Sequence, residues 1–229
     1  MDSNDRHEEN CPYMDRACPV QEELERLREK ARWLEELSQK DHLTGLFNFR
    51  HLMEALEGEM ERTRRTGLAV SLVIGDLDHF KRVNDHYGHE AGNEALKWAT
   101  RLWVHLLRRI DIPCRYGGEE FAMILPGTRL GQAVLVAERL RRALRDSPVQ
   151  LAETRLNLTV SFGVDCYEGE GSLRPRGFLD RADRFLLAAK GQGRNRVCYD
   201  AERFAPEPTE VSPKEREALM AGGVEEEGP

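Results

Sequence analysis

The chain has 229 residues, 40% of them hydrophobic and 33% charged, and a formal net charge of −7. This length suits one domain with appendages, and the apolar residues suffice for a sizeable core. Residues 201–229 hold eight Glu against three Lys or Arg, which leaves 33 acidic and 31 basic residues, a net charge of −2, over residues 1–200. A body so nearly balanced has no broad basic field, so we expect neither a nucleic-acid polymer nor an anionic membrane surface as a partner.

The N-terminal residues carry no targeting or membrane signal. No apolar run approaches the roughly 20 residues that span a bilayer, and the polar start lacks the apolar core of a signal peptide. The five cysteines are an odd number at irregular spacing, unlike the disulfide framework of a small secreted domain. His7, Cys11 and Cys18 fit no zinc-binding pattern, and we interpret residues 1–19 as a tail. We therefore expect a cytoplasmic protein with no membrane insertion.

Residues 20–40 predict a helical stalk. The segment contains no Gly or interior Pro, and apolar residues recur at steps of three and four, at Leu24, Leu27, Ala31 and Leu34. This spacing is typical of a short coiled-coil seam. Two heptads are marginal alone, so a helix packed on its own domain is an equal alternative, and a linker to other subunits is a third.

Residues 41–200 are interpreted as one α+β domain. The apolar run at 68–74 predicts a strand buried on both faces, with helices before and after it, and a hairpin follows at 115–125. Beyond the hairpin, helix and strand alternate: helix at 133–144, strand at 156–166, helix at 178–190 and strand at 196–199. This order predicts a mixed or antiparallel central sheet flanked by helices, which we expect on one face of the sheet. The acidic, proline-containing residues 201–229 are predicted to be a disordered tail.

The most informative stretch is the hairpin, where two glycines separate an Arg-Tyr pair from Glu119 and Glu120. Gly117 and Gly118 suit a two-residue turn with positive φ, and their missing Cβ atoms would let a ligand approach the backbone. An ordinary exposed hairpin tip has a similar composition and stays open as an alternative from these residues alone.

A hard-cation site is predicted where the buried strand ends. Asp76 at that end and Glu119 at the hairpin become neighbours if the hairpin pairs beside the strand, and the Leu77 backbone carbonyl adds a third oxygen. Mg²⁺ prefers oxygen ligands, needs few from the protein and completes its shell with waters and substrate phosphates. Because successive strand residues point to opposite faces, Glu119 and Glu120 cannot both bind one ion unless the hairpin is irregular, and we favour Glu119.

Two cations near the end of the domain predict a phosphate site. Lys190 and Arg194 lie four residues apart at the end of a predicted helix, beside glycines that allow a sharp turn. Basic residues also favour helix C-termini because of the helix dipole, and this explains the position of Lys190 about as well as phosphate binding does. Together with a magnesium site, the phosphate interpretation becomes the preferable one.

These residues resemble a known protein family. The stretch 115–121, Arg-Tyr-Gly-Gly-Glu-Glu-Phe, looks like the signature of GGDEF-domain diguanylate cyclases in its GGEEF form. Other stretches on both sides of the signature resemble further blocks of the family and occur in the same order, over roughly residues 41–199. They are 41–46, 76–81, 84–85, 88–89, 161–164 and 193–195. The resemblance implies the nucleotidyl-cyclase fold, which is similar to a polymerase palm, for the domain that follows the stalk.

The resemblance implies that two GTP molecules are condensed into cyclic di-GMP with loss of two pyrophosphates. Each subunit of a homodimer would present one GTP, and each ribose 3′-hydroxyl would attack the α-phosphate of the other. Carried over onto this sequence, the implied ligands of Mg²⁺ or Mn²⁺ are Asp76, the Leu77 carbonyl, Glu119 and, with a less defined role, Glu120.

The family pattern also implies the catalytic and substrate contacts. Glu119 would help to deprotonate the attacking hydroxyl beside the metal at Asp76. Lys81, Lys190 and Arg194 would neutralise the triphosphate and the leaving pyrophosphate. The remaining implied substrate contacts are Phe80, Asn84, His89, Asn93, Gly117 and Gly118.

A product-inhibition site is implied just upstream of the signature. Many family members carry Arg-x-x-Asp there, and Arg108 and Asp111 match that pattern. Because Arg can bind guanine O6 and N7 in a bidentate fashion, we expect these residues, with Arg139 on the next helix, to bind cyclic di-GMP. A basic helix end is the alternative in a chain so rich in arginine.

Three positions depart from the family pattern. Phe49 replaces an Arg and Leu187 replaces a Tyr, changes that we expect to alter packing only. Asn93 stands where the family usually carries Asp, which accepts from the guanine N1–H and 2-amino group alongside Asn84. Since an amide offers one acceptor and one donor, base specificity is open, and a hybrid cyclase that accepts ATP and makes cyclic GMP-AMP is the alternative enzyme. The alternative of another class is an inactive module that binds cyclic di-GMP or acts as a scaffold.

Overall fold

The computed structural model of the protein describes residues 23–30, 39–151 and 154–204. By its internal contacts the chain divides into two compact units, Met1–Lys40 and Asp41–Pro229. Each unit is described by itself below.

In the first unit, residues 23–30 form a helix (α1) that falls within the predicted stalk, 20–40. Leu24 and Leu27, two residues of the predicted seam, are exposed. The remainder of that seam and the predicted tail, 1–19, lie outside the described residues. The coiled-coil prediction therefore stays a prediction.

The second unit contains a five-stranded sheet, a separate two-stranded sheet and four helices within its described residues. The strands are β1 (Val70–Leu77), β2 (Ile112–Arg115), β3 (Glu120–Pro126), β4 (Val149–Leu151), β5 (Thr154–Leu156), β6 (Val160–Tyr167) and β7 (Val197–Cys198). The helices are α2 (Phe49–Thr66), α3 (Phe80–Leu106), α4 (Leu130–Asp146) and α5 (Pro175–Gly191). The single strand predicted at 156–166 is in fact divided between β5 and β6.

The main sheet has the order β2-β3-β1-β6-β7. All neighbouring strands are antiparallel except β6 and β7, which are parallel. The mixed, largely antiparallel sheet of an α+β fold is therefore confirmed. Strand β1 lies at its centre, and every one of its residues is buried, as its continuous apolar run predicts.

Helices cover both faces of the sheet, which corrects the expectation that they lie on one face. Alternate residues of β1 point to opposite sides. Leu77 packs with Trp103 in a cluster that includes α3 and α4, whereas Leu72 and Ile74 pack with Leu52 in a cluster that includes α2 and α5. A strand buried on both faces needs an apolar layer on each side, and the sequence pattern of β1 already contained this requirement.

Helix boundaries and one internal break follow from local chemistry. The Asn48 side chain accepts a hydrogen bond from the His51 N–H over 3.1 Å and caps the start of α2. Gly67, with φ of 72°, ends that helix in the left-handed conformation that glycine adopts without strain. Helix α3 is interrupted at Gly88, where φ is 84° and ψ is 163°, as the glycine in the sequence predicts.

The C-terminal boundary differs from the prediction of a disordered tail from residue 201 onward. Residues 201–204 are described, and Phe204 packs on the core and against Gly131 at the start of α4. Phe204 also lies 5.2 Å, ring to ring, from Tyr199. An aromatic side chain gains from burial, so the ordered domain continues to Phe204. Residues 205–229 lie outside the described residues.

None of the helices in the described ranges is both long enough and apolar enough to cross a membrane.

Candidate functional site

Asp76 lies at the end of the central strand, where the signature hairpin meets it. In the sheet register, Asp76 is opposite Glu120 of β3 on one side and Ser161 of β6 on the other. One residue further, the Leu77 N–H donates to the Glu119 carbonyl over 3.3 Å. The hairpin therefore pairs beside β1, which is the condition on which the predicted hard-cation site depends.

The Asp76 carboxylate is buried and contacts a lysine. Nζ of Lys190, in the last turn of α5, lies 2.8 Å from Oδ2 of Asp76. Burial raises the pKa of Asp76, while the positive charges of Lys190 and Arg194 lower it in part. The two cations predicted to bind phosphate thus both act on the carboxylate at the strand end.

The neighbouring carboxylates of Glu119 and Glu120 add further negative charge. Burial is the main cause that raises the pKa of each, and the Asp76 carboxylate raises both further. Lys190 offsets only part of this effect. The strand end therefore holds three carboxylates, and of these the ammonium group of Lys190 contacts only that of Asp76. The excess of negative charge would be offset by a divalent cation.

The oxygen donors at this point fit a hard cation. In the described ranges, no group of three or more His, Cys, Asp and Glu side chains is arranged as a ready-made metal cluster. Mg²⁺ does not require one, because it binds through one or two carboxylates and completes its octahedral shell with waters and substrate phosphates. Only oxygen donors are offered here, and these suit Mg²⁺ or Mn²⁺. They are the side chains of Asp76, Glu119 and Glu120 and the backbone carbonyl of Leu77.

The signature turn differs from the predicted two-residue turn. Strand β2 ends at Arg115 and β3 begins at Glu120, and the Tyr116 N–H donates to the Glu120 carbonyl over 3.1 Å. Neither Gly117 nor Gly118 is among the glycines with positive φ. Instead, a Cβ on Gly117 would collide with the Glu120 carboxylate, whereas Gly118 is exposed with open space around it. The prediction of positive φ was wrong, and a side chain at Gly117 would require the Glu120 carboxylate to shift.

Arg115 fastens this turn to the beginning of the domain. Its Nε and Nη2 donate to the Gly118 carbonyl over 3.1 and 2.6 Å. Its Nη1 lies 3.0 and 3.1 Å from the two carboxylate oxygens of Asp41. Burial opposes ionisation of Asp41, but hydrogen bonds from Thr44 and pairing with Arg115 hold its pKa below the ordinary value. Sequence reasoning missed this clamp, although Arg115 begins the signature and Asp41 begins the first family block.

Glu120, and not Glu119, shares the face of the sheet on which Asp76 lies. Directly paired residues of two antiparallel strands point to the same side, and on this side lie α2 and α5. There Glu120 lines a cavity of about 330 Å³ together with Phe49 and Tyr116. Glu119 precedes the first residue of β3, so the alternation argument that Glu119 and Glu120 cannot both bind one ion does not apply to this pair.

Phe80 and Lys81, both predicted substrate contacts, have opposite environments at the start of α3. Phe80 is 3% exposed and belongs to the core. Lys81, the next residue, is exposed on the first turn. The described geometry therefore makes Phe80 a packing residue that supports the helix start, and leaves Lys81 free to reach a ligand from solvent.

The predicted base contacts surround the break in α3. Asn84 is half-buried, and a Cβ at Gly92 would collide with its Oδ1, so the chain packs tightly there. His89 and Asn93 are exposed. Asn84 therefore lies against Gly92 in the second half of the helix, the residue before Asn93.

A separate cavity of about 610 Å³ lies beside the first turns of α3. It is lined by residues within 78–87 and 157–159. Asn84, His89 and Asn93 are not among the residues that line this cavity.

The three residues of the implied inhibitory site come together between α3, β2 and α4. The Arg108 N–H donates to Oδ2 of Asp111 over 2.7 Å, and Nη2 of Arg139 donates to the Leu106 carbonyl over 2.8 Å. Burial raises the pKa of Asp111, while Arg108 and Arg139 lower it in part. Asp111 is therefore the buried centre of the turn, and the two exposed arginines flank it.

The family model described as "Diguanylate cyclase, GGDEF domain" matches residues 38–196. Among curated proteins, the chain is 44% identical to the response regulator PleD of Caulobacter vibrioides over 169 residues, covering 72% of this chain and 37% of PleD. It is 40% identical over 167 residues to the diguanylate cyclase DgcP of Pseudomonas aeruginosa, covering 72% and 25% of the two chains. The chain thus spans less than half the length of these relatives.

Solved structures of diguanylate cyclases and GGDEF domains have a fold similar to that of this chain. The diguanylate cyclase SiaD of Pseudomonas aeruginosa, solved with its activator SiaC, matches with a TM-score of 0.68 and 37% identity over 79% of this chain and 69% of SiaD. The coiled coil and GGDEF domain of DgcB from Caulobacter crescentus, solved with c-di-GMP, matches with a TM-score of 0.67 and 28% identity over 79% and 95%.

Proposed function

The chain belongs to the diguanylate cyclase GGDEF domain family, and from this premise we propose that it condenses two GTP molecules into cyclic di-GMP with release of two pyrophosphates. The observation that carries the proposal is the meeting of Asp76, the signature hairpin and Lys190 at one strand end. In this proposal residues 41–200 are the catalytic domain, 20–40 are the stalk, and the reaction takes place in the cytoplasm, where GTP is available.

Asp76, the Leu77 carbonyl, Glu119 and Glu120 are the proposed ligands of Mg²⁺ or Mn²⁺. A bound ion of this kind polarises the α-phosphate and offsets charge on the pyrophosphate. The crowding of carboxylates with raised pKa values at the strand end supports this assignment. Glu119, at the tip of the hairpin, accepts the proton of the attacking 3′-hydroxyl.

Three cations are proposed to bind the triphosphate. Lys190 pairs with Asp76 over 2.8 Å, and its ammonium group would bind a phosphate oxygen of the substrate beside that carboxylate. Arg194 lies close enough to act on the same carboxylate, and Lys81 is exposed on the first turn of α3. Positioned cations of this kind stabilise the charge that builds on the leaving group.

The reaction requires two copies of the chain. One site holds one GTP, and a cyclic product needs each 3′-hydroxyl to reach the α-phosphate on the opposite nucleotide. We therefore propose a homodimer in which two strand ends face each other. Cyclic di-GMP then binds at Arg108, Asp111 and Arg139 and inhibits the enzyme, which the convergence of these residues supports.

Asn93 favours a second candidate, a cyclase that also accepts ATP and makes cyclic GMP-AMP. An amide can donate to and accept from adenine, but it cannot accept twice from guanine. Asn93 is exposed and follows Gly92, against which Asn84 packs, so we propose that its side chain can orient toward either base. A module that only binds cyclic di-GMP is disfavoured by the presence of Asp76, Lys190 and both signature carboxylates at one point.

One assay separates these candidates. The purified full chain is freed of bound nucleotide, incubated with Mg²⁺ and GTP, ATP or both, and the products are identified by mass spectrometry. We expect cyclic di-GMP from GTP alone, and cyclic GMP-AMP from the mixture if Asn93 relaxes base choice. If no cyclic dinucleotide forms under any condition, both enzyme proposals are wrong and the binding module is the better interpretation.

A further inference from the structure

Asp78, the residue after β1, is buried and accepts three hydrogen bonds. Its Oδ1 accepts from the Ser161 hydroxyl over 2.6 Å, and its Oδ2 accepts from the Thr159 hydroxyl over 2.7 Å. Oδ2 also accepts from the backbone N–H of Asn195 over 3.0 Å. Hydrogen bonds to an ionised carboxylate are roughly twice as strong as neutral ones. Asp78 therefore ties the loop after α5 to the end of β1 and to β6.

That loop has an unusual backbone conformation. Arg194 and Asn195 are consecutive non-glycine residues in the left-handed region, with φ of 62° and 46°. L-residues adopt this region rarely, and they stay in it only where surrounding contacts hold them. Asn195 is held at its backbone by Asp78, and the next residue, Arg196, accepts from the Phe162 N–H through its carbonyl over 2.8 Å.

The side chain of Asn195 is held by a buried arginine of α4. Nη1 of Arg141 donates to Oδ1 of Asn195 over 2.8 Å. Arg141 is itself fixed by Glu138, whose Oε2 accepts from Nε over 3.1 Å and from Nη2 over 2.9 Å. Only 10% of the Arg141 side chain is exposed, so the guanidinium has little freedom to move.

We propose that Arg141 and Asp78, acting through Asn195, are positioning residues that hold Arg194 in place for the substrate triphosphate. The inference rests on the proposed function of Arg194. Arg141 belongs to α4, outside the family blocks recognised in the sequence, and in the described part of the chain its hydrogen bonds go to Glu138 and Asn195. It acts on the site because Asn195 is covalently next to Arg194, whose backbone N–H donates over 3.0 Å to the carbonyl of Ala189, the residue before the Lys190 that contacts Asp76. If the hold on Asn195 is lost, the loop leaves its left-handed conformation and Arg194 moves away from the strand end.

The chain supplies a matched control for Arg141. Arg142 is its neighbour and lies 3.4 Å from the same Glu138 oxygen, but 65% of its side chain is exposed. The experiment compares R141M with R142M in the full chain, each with thermal unfolding as a control for folding. The measured quantities are the affinity for a non-hydrolysable GTP analogue with Mg²⁺, and KM and kcat for GTP.

We expect R141M to weaken binding of the analogue and raise KM for GTP about 10-fold, whereas R142M stays within about twofold of the wild type. A merely structural loss would lower the active fraction, and thus kcat, without changing KM or the affinity. In a double-mutant cycle, R141M should not raise KM any further in a chain that already carries R194M, because both variants remove the same contact of Arg194 with the triphosphate. Equal affinities of R141M and R142M, or full additivity with R194M, would overturn the inference.

A second pair of variants covers the case in which R141M does not fold. N195D keeps an acceptor for Arg141 and tolerates the left-handed region, whereas N195A loses both properties. We expect N195D to keep a KM near that of the wild type and N195A to raise it as R141M does. Equal KM values for the two would contradict the inference. If the wild type binds the analogue but forms no cyclic dinucleotide, the proposed function fails while the binding comparison still decides whether Arg141 positions Arg194.

Discussion

The proposed phosphate end and the proposed base end of the candidate site are built in different ways. At the phosphate end, Asp76 is buried between two strands, opposite Glu120 and Ser161, and is paired with Lys190. At the base end, His89 and Asn93 are exposed on the second half of an interrupted helix. Buried and paired groups cannot change without leaving a partner unsatisfied, whereas exposed ones can. We therefore expect the strand end to determine whether the reaction occurs and the helix break to determine which base is used.

The largest effect is expected from Asp76→Asn at the phosphate end. The substitution removes a proposed metal ligand and leaves the Lys190 ammonium without its buried partner, so we expect kcat/KM for GTP to fall by roughly 100-fold or more. Steady-state formation of pyrophosphate measures the change. Asp85→Asn is the matched control, because Asp85 is an exposed carboxylate on α3. If the two variants had similar activity, the strand end would not be the reaction centre.

The clamp at Arg115 gives the next largest effect. Arg115→Ala frees the Gly118 carbonyl and the Asp41 carboxylate together, so the hairpin loses its link to the domain start, and we expect kcat to fall roughly 10-fold to 100-fold. Arg115→Lys keeps the charge but not the fork that reaches both partners, and should recover only part of the activity. Rates at saturating GTP, with circular dichroism as a control for folding, test this. Full activity of Arg115→Ala would mean that the turn keeps its geometry unaided.

A smaller effect, on selectivity alone, is expected from Asn93→Asp at the base end. A carboxylate can accept from both the N1–H and the 2-amino group of guanine, so the preference for GTP over ATP should rise roughly 10-fold. The ratio of kcat/KM for the two nucleotides, measured in competition, gives the result. Asn93→Ala serves as the control, since it removes the amide without adding an acceptor. No change in the ratio for Asn93→Asp would mean that the base is read elsewhere.

The smallest effect on turnover is expected outside both ends, at the proposed inhibitory site, where a substitution should alter inhibition alone. Arg139 is exposed, and its guanidinium donates to the Leu106 carbonyl. Arg139→Ala should raise the concentration of cyclic di-GMP needed for half-inhibition by roughly 10-fold, because it removes one guanine contact. Initial rates with added cyclic di-GMP measure this concentration, and Arg142→Ala on the same helix is the control. Inhibition unchanged in Arg139→Ala would place the inhibitory site elsewhere.

Local patterns in the sequence predicted much of the fold. The apolar run of β1, the break of α3 at Gly88 and the helices α4 and α5 follow from periodicity and from glycine, which act over a few residues. The sheet class followed from the order of these elements. The prediction of a two-residue turn with positive φ at Gly117 and Gly118 was wrong, because the turn between β2 and β3 is longer and composition does not specify turn length.

The sequence by itself determined the elements of the fold and predicted which residues belong to the candidate site, since the carboxylates and cations occur in recognisable blocks. Only the tertiary structure decided that Glu120 lies opposite Asp76, that Lys190 pairs with it and that Arg141 reaches Asn195. The physical reason is distance along the chain. These contacts join residues that are far apart in sequence, and their geometry depends on strand register and helix packing, which no local pattern contains.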